Sequence, residues 1–400
     1  MNKQFWNLWS TYAIFYFGKV NLSIVIPALL ITYENLNMYD FGLVSMGFMF
    51  AYAIGQFLHG QISERFNPYV YITIGLILSG IANLFMGFVG SFFLMLLILE
   101  TFDGFFQSMG WSSIVRANAL IQKNEKERDR SSTILGCSYQ FGNSFAWLIS
   151  AYAVAVWGWE TGFWMASAWL LSRGVLLYLT KPKLDHKPKQ SVKKQVVVTL
   201  SFPILMTGIS LMLLNMVRYG VMTWFFTFLV LEGNVAIADF GTEVWKIVFI
   251  PIAGILGTLV YNKLPWKKDY TSIAFLAAMG VTWFLFPYTT GLNAIILVLI
   301  SSAFLYGPHV FLVCTIPTRF KEKGVVASST GFIDGMGYIG TTIIMLLVPY
   351  FVLETAGKWN NVFLLWALIS FAASAFVAIT YFGHFKNNNN SQKEKKSIYY

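Results

Sequence analysis

Residues 6–31, WNLWSTYAIFYFGKVNLSIVIPALLI, are an apolar run broken by a single cation, Lys19. A hydrocarbon layer about 30 Å thick needs roughly 20 residues of helix to cross it, and this run is long enough with some tilt. The same ruler finds eleven more segments: 41–62, 70–89, 91–115, 132–156, 158–180, 200–230, 236–261, 270–288, 292–317, 325–351 and 359–384. These runs are far longer than a barrel strand of about 10 residues and show no alternation of apolar and polar positions. Helices remain as the spanning solution, because every backbone polar group in lipid must be satisfied within its own segment. Composition agrees: 56% of the 400 residues are hydrophobic and 12% are charged, against about 25% charged in an ordinary soluble domain. The expected fold class is an all-α membrane protein with twelve transmembrane helices.

The polar gaps set the domain organisation. A six-helix half is expected over 1–180, a basic linker over 181–199, a second half over 200–384 and a disordered tail over 385–400, where an Asn run is followed by mixed charges. With the N-terminus inside, 24 of the 28 Lys and Arg residues fall on one side of the membrane, against Lys358 alone on the other. That asymmetry places both termini in the cytoplasm of an inner-membrane protein. It also accounts for the formal charge of +10 through an anionic leaflet, with no nucleic acid needed. Met1-Asn2-Lys3 leads directly into the first run without a small-residue cleavage site, so the first helix is expected to stay. Cys137 and Cys314 both sit in apolar segments and suggest no disulfide framework.

Three cations lie inside the spans: Lys19, Arg218 and Lys246. A charge at the bilayer centre costs on the order of 3 kcal/mol or more, so each needs a partner, a wet cavity or a ligand. Lys19 and Arg218 occupy the first helices of the two halves and, if the halves are repeats, face one another across a central cavity. There they would repel each other and attract a phosphate, phosphonate or carboxylate, Arg with a bidentate fork and Lys with a point charge. The alternative is neutralisation by buried acids, of which Glu100, Asp103, Glu243 and Asp334 are available. Each acid is a possible counter-charge, amine ligand or proton carrier. Glu243 and Lys246 stand i,i+3 on one helix and are simplest as a local ion pair. Glu100 and Asp103 share that spacing and are candidates for proton coupling.

Other features read as architecture. Glycines and aromatics suit helix packing and interfacial belts. His59 and His309 lack metal-ligand spacing and read as packing residues; no metal or cofactor is expected. No Walker loop, GxSxG elbow or clustered His/Asp site appears, which argues against an enzyme and for a gradient as energy source.

Several stretches resemble the organophosphate:phosphate antiporters, a family of the major facilitator superfamily that includes bacterial glycerol-3-phosphate and hexose-6-phosphate transporters. They are Lys19-Val20-Asn21-Leu22 with Pro27, the turn Gly60 to Pro68, Gly104-Phe105-Phe106-Gln107-Ser108-Met109-Gly110-Trp111, Arg218-Tyr219-Gly220 with Trp224, Ala253 to Thr258, Tyr306-Gly307-Pro308, Gly331-Phe332 and Gly337-Tyr338-Ile339-Gly340. The resemblance implies a major facilitator fold of two pseudo-symmetric halves and a phosphate-binding cation pair on helices one and seven, landing on Lys19 and Arg218. It also shows departures. Lys19 stands where the family usually has Arg, Val20 replaces a neighbouring basic residue, Tyr139 replaces a helix-five His, Thr223 an acid, and Ser112-Ser113 a Pro-Pro pair. With Asp103, Lys246 and Asp334 charged where relatives are not, these changes suggest a substrate with additional charges.

The expected function is a secondary transporter of an organic anion working by alternating access, with Lys19, Arg218, Tyr139, Asp103 and Asp334 at the substrate and inorganic phosphate or a proton as the coupled species. A proton-coupled carrier of a carboxylate, zwitterion or siderophore-like anion is the alternative, and a transporter-like membrane sensor the reading from another class. The bundle can work as a monomer.

Overall fold

The computed structural model describes residues 3–62, 66–90, 92–122, 127, 131, 134–182, 201–232, 236, 245–316, 326–356 and 358–385. The described residues form helices and turns, without strands. In chain order the first half holds α1 (Lys3–Thr32), α2 (Met38–Ile62), α3 (Pro68–Met86), α4 (Phe93–Gln107), α5 (Met109–Ile121), α6 (Ser138–Trp157) and α7 (Glu160–Thr180). The second holds α8 (Phe202–Leu231), α9 (Trp245–Lys263), α10 (Lys268–Leu285), α11 (Gly291–Val310), α12 (Val326–Glu354) and α13 (Lys358–Thr380). Because α4 and α5 continue one another through Ser108, the thirteen helices make twelve rods among the described residues.

Nine of those rods are long and apolar enough to cross a membrane by length and composition, again among the described residues. The other three are α6, α7 and α9, the last with a shorter apolar stretch over Val248–Lys263. In α6 the reason is visible in the sequence: Ser138, Gln140, Asn143, Ser144 and Ser150 lower its hydropathy, and all are buried within the bundle. Boundaries shift from the sequence expectation by a few residues. The sixth helix begins at Ser138 rather than 132, after a turn in which Cys137 N–H donates to the Ile134 carbonyl at 3.0 Å. Local signals fix other starts: Asn67 caps α3 by accepting from Tyr69 N–H, and Pro68 supplies a first-turn residue that needs no donor. The expected linker beyond Pro182 lies outside the described residues, as does the expected tail beyond Phe385.

Packing repeats between the halves. In the first, α1 packs on α6 and α7, α3 on α7, and α4 on α2 and α3; in the second, α8 packs on α12 and α13, α10 on α13, and α11 on α9 and α10. Each pairing has its counterpart six rods on, which is the pseudo-twofold relation of a repeated half. The halves meet through α2 on α12, α6 on α9, and α1 on α8. Large apolar side chains such as Phe92, Leu179 and Leu368 remain exposed on the outside of the bundle, where a lipid-facing surface belongs.

Helices α1 and α8 are the axial pair. Both are buried along most of their length, and close approach to their neighbours depends on glycine. A Cβ on Gly142 of α6 would meet the Ala13 carbonyl of α1 at 2.2 Å, and one on Gly340 of α12 would meet the Met212 carbonyl of α8 at 2.2 Å. These two contacts are equivalent under the pseudo-twofold and lie one to two turns from Lys19 and Arg218. Arg173 on α7 ties the start of α1 down: its Nε donates to Thr11 Oγ1 at 2.9 Å, and Nη2 donates to Asn7. Gly142→Val is therefore expected to destabilise the protein by about 1–3 kcal/mol through overpacking, seen as a lowered unfolding temperature in detergent, whereas Ala at the exposed Phe141 leaves it unchanged.

Candidate functional site

The centre of the bundle is built around Lys19 and Arg218, both buried. On α1 the positions Tyr12, Tyr16, Lys19 and Ser23 recur at i, i+4, i+7 and i+11, so one helix face carries them all inward. Lys19 Nζ donates to Tyr338 Oη at 2.6 Å. It stands 3.7 Å from the centroid of the Tyr52 ring, 4.7 Å from Tyr338, 5.6 Å from Tyr16 and 5.8 Å from Tyr219. The four rings come from α1, α2, α8 and α12, so the cage exists only when both halves are in place.

Arg218 has a matching environment. Its guanidinium carbon lies 4.7 Å from the Tyr219 ring, 4.9 Å from Tyr139 and 5.4 Å from Tyr306. Nη2 donates to Tyr16 Oη at 3.3 Å, and Nη1 lies 3.1 Å from His309 Nε2. A guanidinium only donates, so His309 Nε2 is the acceptor and its proton sits on Nδ1, 3.3 Å from Tyr139 Oη. Pro308, inside α11, helps to place this imidazole: lacking an N–H, it breaks the helical ladder just before the π-helical turn Phe311–Thr315.

The two cations share Tyr16 and Tyr219, and the Tyr219 and Tyr338 hydroxyls are 2.7 Å apart. Among the described residues neither cation makes an ion pair. Magnitudes then matter. Burying an ion costs several kcal/mol even after relaxation, while a cation–π contact returns about 0.5–2 kcal/mol. The tyrosines offset part of the cost of two neighbouring like charges, and an anion between them would offset the rest.

The other sequence candidates divide. Tyr139 stands against Arg218, and Asp334 lies one turn before Tyr338 on α12, on the same face. Asp103 is buried in a separate network: its Oδ2 accepts from Asn83 Nδ2 at 3.0 Å and from Gln107 Nε2 at 3.3 Å. Glu100 borders a small cavity together with Lys19. Glu243 lies outside the described residues, and only the helical backbone of Lys246 is described. The sequence reads His309 as a packing residue, gives Tyr219, Tyr306 and Tyr338 only as parts of family-like motifs, and assigns none of these, nor Tyr16 or Tyr52, to the site. The i,i+3 step from Tyr16 to Lys19 and the neighbouring Arg218-Tyr219 were the available signals. Replacing His309 by Ala leaves a buried guanidinium donor without its acceptor and is expected to cost roughly 1–3 kcal/mol. His309→Gln, which keeps an acceptor, recovers much of that loss in thermal unfolding of the purified protein.

The sequence profile of the Major Facilitator Superfamily matches residues 8–341. Membrane sensor protein UhpC of Escherichia coli (strain K12) is 23% identical over 376 positions, covering 84% of this chain and 82% of that one. The glycerol-3-phosphate transporter of Bacillus subtilis (strain 168) is 24% identical over 409 positions, covering 92% and 90%. A probable hexose phosphate transport protein of Chlamydia pneumoniae is 21% identical, covering 84% and 82%. Among solved structures, a bacterial homologue of the human lysosomal transporter Spinster, in an inward-facing, occupied conformation, superposes with a TM-score of 0.69 at 15% identity, over 96% of both chains. With the profile spanning most of the chain and the two halves packed as repeats, the protein belongs to the major facilitator superfamily, a multi-pass membrane transporter rather than an enzyme.

Proposed function

We propose that this protein is a secondary transporter of an organic phosphate or a closely related organic anion, binding its anionic group between Lys19 and Arg218. The observation that carries the reading is the pair of buried cations, one from each half, hydrogen-bonded to tyrosines and a neutral histidine, with no ion pair among the described residues and with the Arg218 Nε donor left without a partner. Relatives named for glycerol-3-phosphate and hexose phosphate transport support the substrate class. Tyr16, Tyr219 and Tyr338 point their hydroxyls into the same space, and an O–H or N–H donor set suits phosphate oxygens. Tyr139 and His309 orient the guanidinium, and Asp334 meets any positive group on the substrate. Asp103 acts through the amides that hold it rather than at the anion.

Alternating access follows from the architecture: the site is shared by α1, α2, α8 and α12, so rocking one half against the other exposes it to one side at a time. The excess of Lys and Arg on one side of the spans supports a topology with both termini in the cytoplasm and the bundle in the inner membrane. The chain works as a monomer, since each half supplies one cation. The likeness to a membrane sensor supports a second reading, in which the same pocket binds the anion and reports it without net flux.

The test is counterflow in proteoliposomes loaded with inorganic phosphate or glycerol 3-phosphate. Saturable uptake of labelled glycerol 3-phosphate is expected, lost in Arg218→Ala and weakened about tenfold in apparent affinity in Arg218→Lys, which keeps the charge but not the fork. Binding without exchange identifies the sensor; neither binding nor exchange of phosphate esters overturns the substrate class.

A further inference from the structure

Two carboxylates, Glu100 and Asp103, are buried on α4, 2% and 0% exposed, and their surroundings differ in kind. Asp103 Oδ2 accepts from two amides, Asn83 and Gln107. Those amides are held in turn: Asn83 Oδ1 accepts from Asn21 Nδ2 at 2.8 Å, and Gln107 Nε2 reaches Ser79 Oγ at 3.2 Å. Donors aimed at one oxygen from α3 and α4 suit a carboxylate whose charge stays fixed. Each carboxylate has one buried oxygen without a hydrogen-bond partner, Glu100 Oε1 and Asp103 Oδ1, but among the described residues Glu100 has no such array on its other oxygen.

Glu100 instead borders a cavity of about 20 Å³ that it shares with Lys19, Ser23, Ser45, Tyr219 and Thr223. That is room for one water and too little for a phosphate ester. The groups facing Glu100 are few. Asp103 comes from its own helix, Lys19 from α1 and Tyr219 from α8. From α2 come Ser45, Phe48 and Met49, while its titratable Tyr52 and His59 are engaged by Lys19 and by Tyr71 at 2.5 Å. From α3 comes Asn83, already committed to Asp103. Arg116 of α5 is turned away, donating to the Phe66 carbonyl.

We propose that Glu100 carries a co-transported proton, exchanged through the cavity it shares with Lys19, so that anion and proton cross together. The proposal deepens the transport reading above and rests on it for the identity of the anion. Lys19 is the link. Its positive charge lines the same cavity as Glu100, and an anion on Lys19 cancels that charge and favours a proton on Glu100. Each ligand therefore favours the other by the same factor. The proton enters from water on one side, resides on the Glu100 carboxylate while the site is closed, and leaves to water on the other. Asp103, held through one oxygen by its amides, orients α4.

Two measurements on the full-length protein in lipid test this. Infrared spectra taken across pH should show a protonated-carboxyl band that is absent in Glu100→Gln and present in Asp103→Asn; a band unchanged in Glu100→Gln overturns the assignment. In proteoliposomes with an imposed proton gradient, the ratio of gradient-driven glycerol 3-phosphate accumulation to its counterflow should fall about tenfold or more in Glu100→Gln and recover in Glu100→Asp; an unchanged ratio overturns it. Absence of counterflow in the unmodified protein refutes the phosphate-ester reading alone, and the infrared result then decides the proton site by itself.

Discussion

Two like charges are held side by side in the middle of an apolar bundle, and the structure gives them rings and hydroxyls where an acid would ordinarily stand. Lys19 and Arg218 sit on the axial helices of the two halves and share Tyr16 and Tyr219. Their burial costs several kcal/mol each, of which cation–π contacts and hydrogen bonds return a part. The remaining deficit of negative charge turns a structural liability into an affinity for anions. The packing of the two halves serves this arrangement: Gly142 and Gly340 let the axial helices close on their neighbours, and Pro308 sets His309 against the guanidinium.

The pocket belongs to neither half alone. Lys19 reaches Tyr338 across the interface, and Arg218 reaches Tyr16 and lies against Tyr139 in return. A ligand gripping both cations therefore bridges the two bodies that must move. The cavity beside Lys19 has room for about one water, so a metabolite gripping both cations needs the halves to part. Side-chain contacts such as Ser144 Oγ donating to the Val248 carbonyl at 3.1 Å between α6 and α9 are the kind that such rocking breaks and remakes.

Much of the fold was legible because the physics is one-dimensional: apolar length against bilayer thickness marks spans without any knowledge of contacts. The cation pair was legible for the same reason, since a charge in such a run stands out. What surrounds the cations was not. Tyr52 and Tyr338 lie far from Lys19 and from each other in the chain, and nothing in their own segments distinguishes them from packing aromatics. His309 read as a packing residue because its partners, Arg218 and Tyr139, come from two other helices. Asp103 and Asp334 both read as substrate-site acids from the sequence; the Asn83 and Gln107 amides that draw Asp103 into a network of its own appear only when α3 and α4 are laid together.

The central claim is that the anionic group of the substrate lies in direct contact with the Arg218 guanidinium. Phosphorus–nitrogen dipolar recoupling between glycerol 3-phosphate and arginine-labelled protein in lipid measures that contact without relying on flux. The account predicts strong dephasing of one guanidinium signal, lost in Arg218→Lys. Saturating ester with no dephasing, or dephasing that survives Arg218→Lys, would contradict it.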